Sequence, residues 1–307
     1  MSFDKLISRI RELQNPTVVG LDPKLEYVPE FLKKTYLDQD GESLKAAARA
    51  LFRFNQSIID AVCDIVPAIK PQAAYYEMYG HHGVKTLERT IRYAKLKGMY
   101  VITDGKRNDI GATMEAYAAA HLGTCMVGEN ECTPFGADAL TVNGYLGSDG
   151  ITPLLKHCKE KDKGIFVLVK TSNPSSGELQ DRLIDGVPVY AIMGDMCESW
   201  GKETIGEYGY SAVGAVVGAT YPEQLKELRQ RLPHTMFLVP GYGAQGGGAA
   251  GVAGAFDENG LGAIVNSSRA IMCAYQKEGC DEHDFAAAAR REAIRMREDL
   301  TSYVKIK

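Results

Sequence analysis

The chain has 307 residues, 45% hydrophobic and 24% charged, with a formal net charge of −4. That leaves room for one large α/β domain with a sizeable core, and the slight acidity excludes a general attraction to nucleic acid or an anionic membrane, so any phosphate site must be local. Seven cysteines stand at 63, 125, 132, 158, 197, 273 and 280 with no C-x-x-C spacing, which points to reduced thiols rather than a disulfide framework or a zinc site.

The N-terminal stretch MSFDKLISRIRELQN places Phe3, Leu6, Ile7, Ile10 and Leu13 on one helical face and carries charges throughout. It reads as an amphipathic helix and not as a signal peptide. No apolar run reaches the roughly 18 residues of a membrane span, and a soluble, cytoplasmic protein is expected. Short apolar runs then recur at 17–22 (TVVGLD), 68–71 (AIKP), 99–106 (MYVITDGK) and 139–144 (ALTVNG). Four more follow at 164–171 (GIFVLVKT), 211–218 (SAVGAVVG), 236–241 (MFLVPG) and 263–268 (AIVNSS). Their nearly continuous apolar character suits parallel strands buried on both faces. Between them, helical periodicity marks 43–62, 83–98, the stretch MEAYAAAHL, 222–232 and 284–300.

Eight strands alternating with helices over this length predict a (β/α)8 TIM barrel, with 1–307 as a single domain. Extra helix falls after strand one, in 23–67, and a long connection follows strand five, in 172–210. Long connections inside compact domains are often lids or binding loops. The alternative, an open doubly wound sheet, is weakened because no G-x-G-x-x-G follows the first strand.

In the barrel reading, polar residues gather at the C-terminal ends of strands, where barrel enzymes carry their active sites. Strand one ends in Asp22, strand two in Lys70, strand three in Asp104 and Lys106. Strand five leads into Ser172, strand seven ends at Pro240, and strand eight runs into Ser268 and Arg269. Asp104 and Lys106 are two apart on a strand and so share a face. Read singly, each has a plain structural alternative: Asp109 as a helix cap, Lys106 as a solvated turn lysine, Lys70 as half of an ion pair. Arg107 should point away from Lys106 and support the loop. The loop GYGAQGGGAAGVAG at 241–254 is half glycine and can bring several N–H groups to an anion, with Arg269 supplying a cation. It is no Walker A motif. The six histidines do not line the strand ends, and no H-E-x-x-H or Ser-His-acid arrangement is found, so no metal and no cofactor is expected.

The segment DGKRNDIGAT, 104–113, resembles the Asp-x-Lys-x-x-Asp motif of the orotidine 5′-phosphate decarboxylase family, in the second sequence type found in many bacteria. VGLDP (19–23), AIKPQ (68–72), TSNP (171–174), VPGYGAQGG (239–247) and NSSRAI (266–271) match that family in the same order. The resemblance implies a cofactor-free barrel enzyme, acting as a homodimer, that converts orotidine 5′-monophosphate to uridine 5′-monophosphate and carbon dioxide in pyrimidine biosynthesis. It implies Lys106 as proton donor beside Asp104, with Lys70 completing a Lys-Asp-Lys-Asp chain that ends in Asp109. Asp109, Ile110 and Thr113 would reach into the partner subunit's site. Asp22 and Lys70 would bind the ribose, Ser172 the pyrimidine, and Gln245 and Arg269 the phosphate, with Pro240 and Ser268 also at the substrate. In the wider family a Gly is common where this chain has Ser268. A metal-dependent sugar-phosphate lyase and a non-catalytic nucleotide-binding barrel are the rival readings.

Overall fold

The computed structural model describes residues 2–243 and 248–307. Eight parallel strands close into a barrel: β1 Thr17–Leu21, β2 Ala68–Pro71, β3 Tyr100–Arg107, β4 Ala139–Val142, β5 Gly164–Lys170, β6 Val213–Val217, β7 Phe237–Val239 and β8 Ala263–Ser267. Each strand pairs with its sequence neighbours, and β8 closes onto β1 through Thr17↔Val265 to Val19↔Ser267. All eight predicted strands are present. The TIM barrel and its two long connections stand as expected; the open sheet is ruled out by closure.

Alternation on the strands sorts the core. Val18, Ala68, Tyr100, Ile102, Ala139, Phe166, Val216, Leu238 and Ile264 form one buried cluster inside the barrel. The residues next to them on the strands, such as Val19, Ile69, Val101, Leu140 and Val167, belong to a second cluster packed under the outer helices. Helix α1, Ser2–Leu13, adds Phe3, Leu6, Ile7 and Ile10 to the inner cluster. The Phe3 and Phe166 rings lie 4.8 Å apart, so the predicted amphipathic helix seals the N-terminal mouth of the barrel. The open end is the C-terminal one.

After β1 come α2, Glu30–Asp40, and α3, Leu44–Val62, the latter capped by the Ser43 hydroxyl accepting from the Ala46 N–H at 3.1 Å. Helix α4, Gly80–Leu96, precedes β3, and α5, Gly111–His121, follows it. A two-stranded hairpin, Cys125–Val127 against Asn130–Cys132, stands between α5 and β4; the sequence reading did not foresee it. Helices α6 Ser148–Lys161, α7 Val189–Gly201, α8 Pro222–Arg231 and α9 Phe285–Tyr303 complete the outer ring.

Candidate active site at the C-terminal mouth of the barrel

A cavity of about 760 Å³ opens at the strand ends, lined by Asp22, Lys70, Asp104, Ser172, Pro240, Ser268 and Arg269 among others. Asp104 is its electrostatic centre. Its Oδ2 accepts from Lys70 Nζ at 2.7 Å, and its Oδ1 accepts from Lys106 Nζ at 2.6 Å and from the Thr141 hydroxyl at 2.8 Å. Lys70 also lies 3.9 Å from Asp22 Oδ1. Burial alone would raise the Asp104 carboxyl, but the charges of Lys70 and Lys106 override it and hold the group well below the usual carboxylate range. For Lys70, burial works against the ammonium, and the charges of Asp104 and Asp22 outweigh it, so the lysine stays protonated. Both partners are thus held ionised at neutral pH.

Lys106 is different in kind. Its side chain is 45% exposed, against 5% for Lys70. It lines a neighbouring cleft of about 410 Å³ with Gln72, Tyr75, Glu77 and Arg107, and its ammonium is joined to the large cavity through Asp104. Arg107 does support the loop: its guanidinium pairs with Glu77, donates to the Gly105 carbonyl at 3.1 Å and lies over the Tyr117 ring.

Asp22 Oδ1 is buried and has no hydrogen-bond partner, and so is Asn266 Oδ1. An unsatisfied buried acceptor facing a cavity is matched by a ligand hydroxyl or N–H. Arg269 is exposed at the start of a short helix after β8 and makes no ion pair among the described residues. Ser268 occupies the space a larger β1 residue would need: a Cβ on Gly20 would sit 1.8 Å from its Oγ. Ser268 therefore fits beside β1 because position 20 carries no side chain. Gln245 lies outside the described residues.

The structure gathers Asp22, Lys70, Asp104, Lys106, Ser172, Pro240, Ser268 and Arg269 around one mouth. It does not bring Asp109 to them. Asp109 makes no ion pair among the described residues, and its carboxylate accepts from the Ile110 N–H at 2.9 Å, without capping α5. Ile110 and Thr113 are exposed. Three residues escaped the sequence reading. Thr141 and Asn266 are described above. The third is Lys170, whose side chain at the end of β5 is fully buried. It donates to Asp181 Oδ1 at 2.7 Å and lies over the Tyr221 ring at 4.7 Å. With Gln180, which bonds Thr171 at 2.7 and 2.9 Å, it pins the long connection that begins at Ser172.

A lysine-aspartate-lysine bridge at this mouth narrows the possibilities, and sequence comparison decides among families. The sequence model of the orotidine 5′-phosphate decarboxylase / HUMPS family matches residues 18–279. The chain belongs to that family. A relative from Rhodopirellula baltica named orotidine 5′-phosphate decarboxylase is 48% identical over 288 residues, covering 92% of this chain and 93% of its own. One of the same name from Clostridium tetani is 40% identical over the whole of both chains. Among solved structures, the Leishmania donovani OMP decarboxylase superposes with a TM-score of 0.69 at 28% identity, covering 97% of this chain and 98% of that one. The expected enzyme class, a carboxy-lyase, is that of these curated relatives.

Proposed function

We propose that this member of the family decarboxylates orotidine 5′-monophosphate to uridine 5′-monophosphate in pyrimidine biosynthesis, as a cytoplasmic homodimer of single barrel domains. The observation that carries the reading is Asp104 bridging two ammonium groups at the mouth of the barrel. Breaking the bond from C6 to the carboxylate leaves an electron pair on C6, in the ring plane, where the pyrimidine offers no delocalisation. A fixed ammonium can stabilise that charge and then deliver a proton to it. Lys106 takes this role because it is the more exposed of the two lysines, while Asp104 aims it. Lys70 and the unsatisfied Asp22 oxygen suit the ribose hydroxyls, Ser172 the pyrimidine, and Arg269 with Gln245 the phosphate. Pro240 and Ser268 wall the cavity.

Asp109, Ile110 and Thr113 act in the partner's site. In support, Ile110 is 50% exposed, and Tyr145 and Leu146, in the loop after the adjacent β4, are also exposed. Such large apolar side chains at the rim suit a face covered by a second subunit. Both Asp104 oxygens are already engaged by ammonium groups, which disfavours the metal-dependent sugar-phosphate reading. The test follows orotidine monophosphate absorbance with chelator-treated protein. Turnover that survives the chelator is expected. Turnover only of sugar phosphates with added metal, or tight binding of uridine monophosphate without turnover, would overturn the proposal.

A further inference from the structure

The hairpin after α5 has no part in the site, yet it brings two of the seven cysteines together. Cys125 and Cys132 are directly opposite in its antiparallel register, with Met126↔Glu131 and Val127↔Asn130 completing the ladder. Residues directly opposite share a face and lie about 4.5–5.5 Å apart between Cα atoms, inside the range of about 4.4–6.8 Å that a disulfide spans. Gly128, with φ 62°, forms the two-residue turn with Glu129 that fixes this register. The opposite face of the hairpin is tied down: Glu131 accepts from the Thr124 hydroxyl at 2.6 Å and from Lys161 Nζ, on α6, at 2.8 Å. Alternation therefore turns both thiols away from that anchor. Both cysteines are free and exposed. The remaining cysteines differ: Cys158, Cys197 and Cys273 are buried, and Cys63 and Cys280 are half-buried. Burial pushes the Cys158 thiol up to about 12, which keeps it an unreactive neutral thiol.

We propose that Cys125 and Cys132 form a thiol–disulfide exchange site that closes to an intrachain cross-strand disulfide with a low-molecular-weight disulfide such as glutathione disulfide. One cysteine thiolate attacks a sulfur of glutathione disulfide and releases one glutathione thiolate. The second cysteine then attacks the protein sulfur of the mixed disulfide and releases the other glutathione. The protein loses two hydrogens and two electrons, and the small disulfide is reduced to two thiols. Because the pair is exposed, its disulfide belongs to the labile class that external thiols reopen.

The sequence supplies a clean readout, because no Lys or Arg lies between Arg107 and Lys156, so both cysteines fall in one tryptic peptide with no third cysteine. The full-length protein is incubated with glutathione disulfide, remaining thiols are blocked with N-ethylmaleimide, and the digest is weighed. The expected peptide carries no maleimide, is lighter by ~2 Da than its reduced form, and takes two maleimides after dithiothreitol. The Cys125→Ser variant should instead stop at a stable glutathione adduct on Cys132. A parent peptide with two maleimides, with glutathione on each cysteine, or cross-linked to another peptide would overturn the proposal.

Discussion

Lys106 sits at φ 47°, in the left-handed backbone region that L-residues rarely occupy. Here β3 slips against β4: Thr103 faces Leu140, but Arg107 faces Val142, so four steps on one strand match two on the other. The Lys106 N–H is held by the Thr141 hydroxyl at 3.0 Å, and the same hydroxyl donates to Asp104. The bulge thus delivers the ammonium to the carboxylate through a strained residue, an arrangement met at functional sites. Replacing Lys106 leaves Asp104 still paired with Lys70, so no buried charge is orphaned and the fold should survive. Lys106→Ala is expected to lower kcat by at least about 1,000-fold, the scale of a lost proton donor that also carried transition-state charge. Circular dichroism and the thermal midpoint should stay near the parent's; near-parental turnover would remove Lys106 from its role. Arg269 offers a planar fork for phosphate oxygens. Arg269→Ala should raise KM on orotidine monophosphate strongly and leave the slow reaction of phosphate-free orotidine little changed. Equal losses on both substrates would show that Arg269 does not hold the phosphate.

At the scale of elements, α5 links β3 to the hairpin and ends in His121. This imidazole is buried, with its ring stacked 4.8 Å from Phe135. Burial, aided by the charge of Arg107, pushes its pKa down to about 4. The unfolded chain takes up this proton near pH 6.5, the folded chain only near pH 4. The stability contributed is therefore complete above pH 6.5 and is lost as pH falls from there toward 4, on the order of 3 kcal/mol in all. His121→Phe keeps an aromatic ring on Phe135 and removes the titration. Acidifying from pH 7 to 4.5 should lower the melting temperature of the parent by several degrees more than that of the variant. Equal drops would place the histidine's acid sensitivity elsewhere.

At the scale of the molecule, the exposed run from Ile110 to Thr113, and an Asp109 that makes no ion pair among the described residues, support the proposal of sites shared across a dimer. Inactive Lys106→Ala protein mixed with inactive Asp109→Ala protein should regain activity once subunits exchange. If Asp109 acts across the interface, one of the two sites in the heterodimer carries both lesions and the other carries none. If Asp109 serves its own chain, each site keeps one lesion. Activity that stays absent after verified exchange would therefore refute shared sites.

Much of this was legible in the chain itself, because the information is local. Apolar runs, helical periodicity and the loops between them are set by neighbours in sequence, and they marked all eight strands and the rim that carries Asp22, Lys70 and Asp104. Even the overlooked residues carried a signal. Thr141, Lys170 and Asn266 share the inward alternation of Ala139, Phe166 and Ile264, which lie two, four and two positions earlier on their strands. A polar residue at such a position, near a strand's C-terminal end, belongs to the mouth. Other features depended on contacts between segments far apart in sequence, which periodicity does not encode. The slip of β3 against β4 decided how Lys106 meets Asp104. The packing of Ser268 against Gly20 decided that a serine fits beside Arg269, and the Lys170–Asp181 pair decided where the connection after β5 is pinned. Local propensity fixes which residues can point into the barrel, whereas closure of the sheet fixes which of them meet.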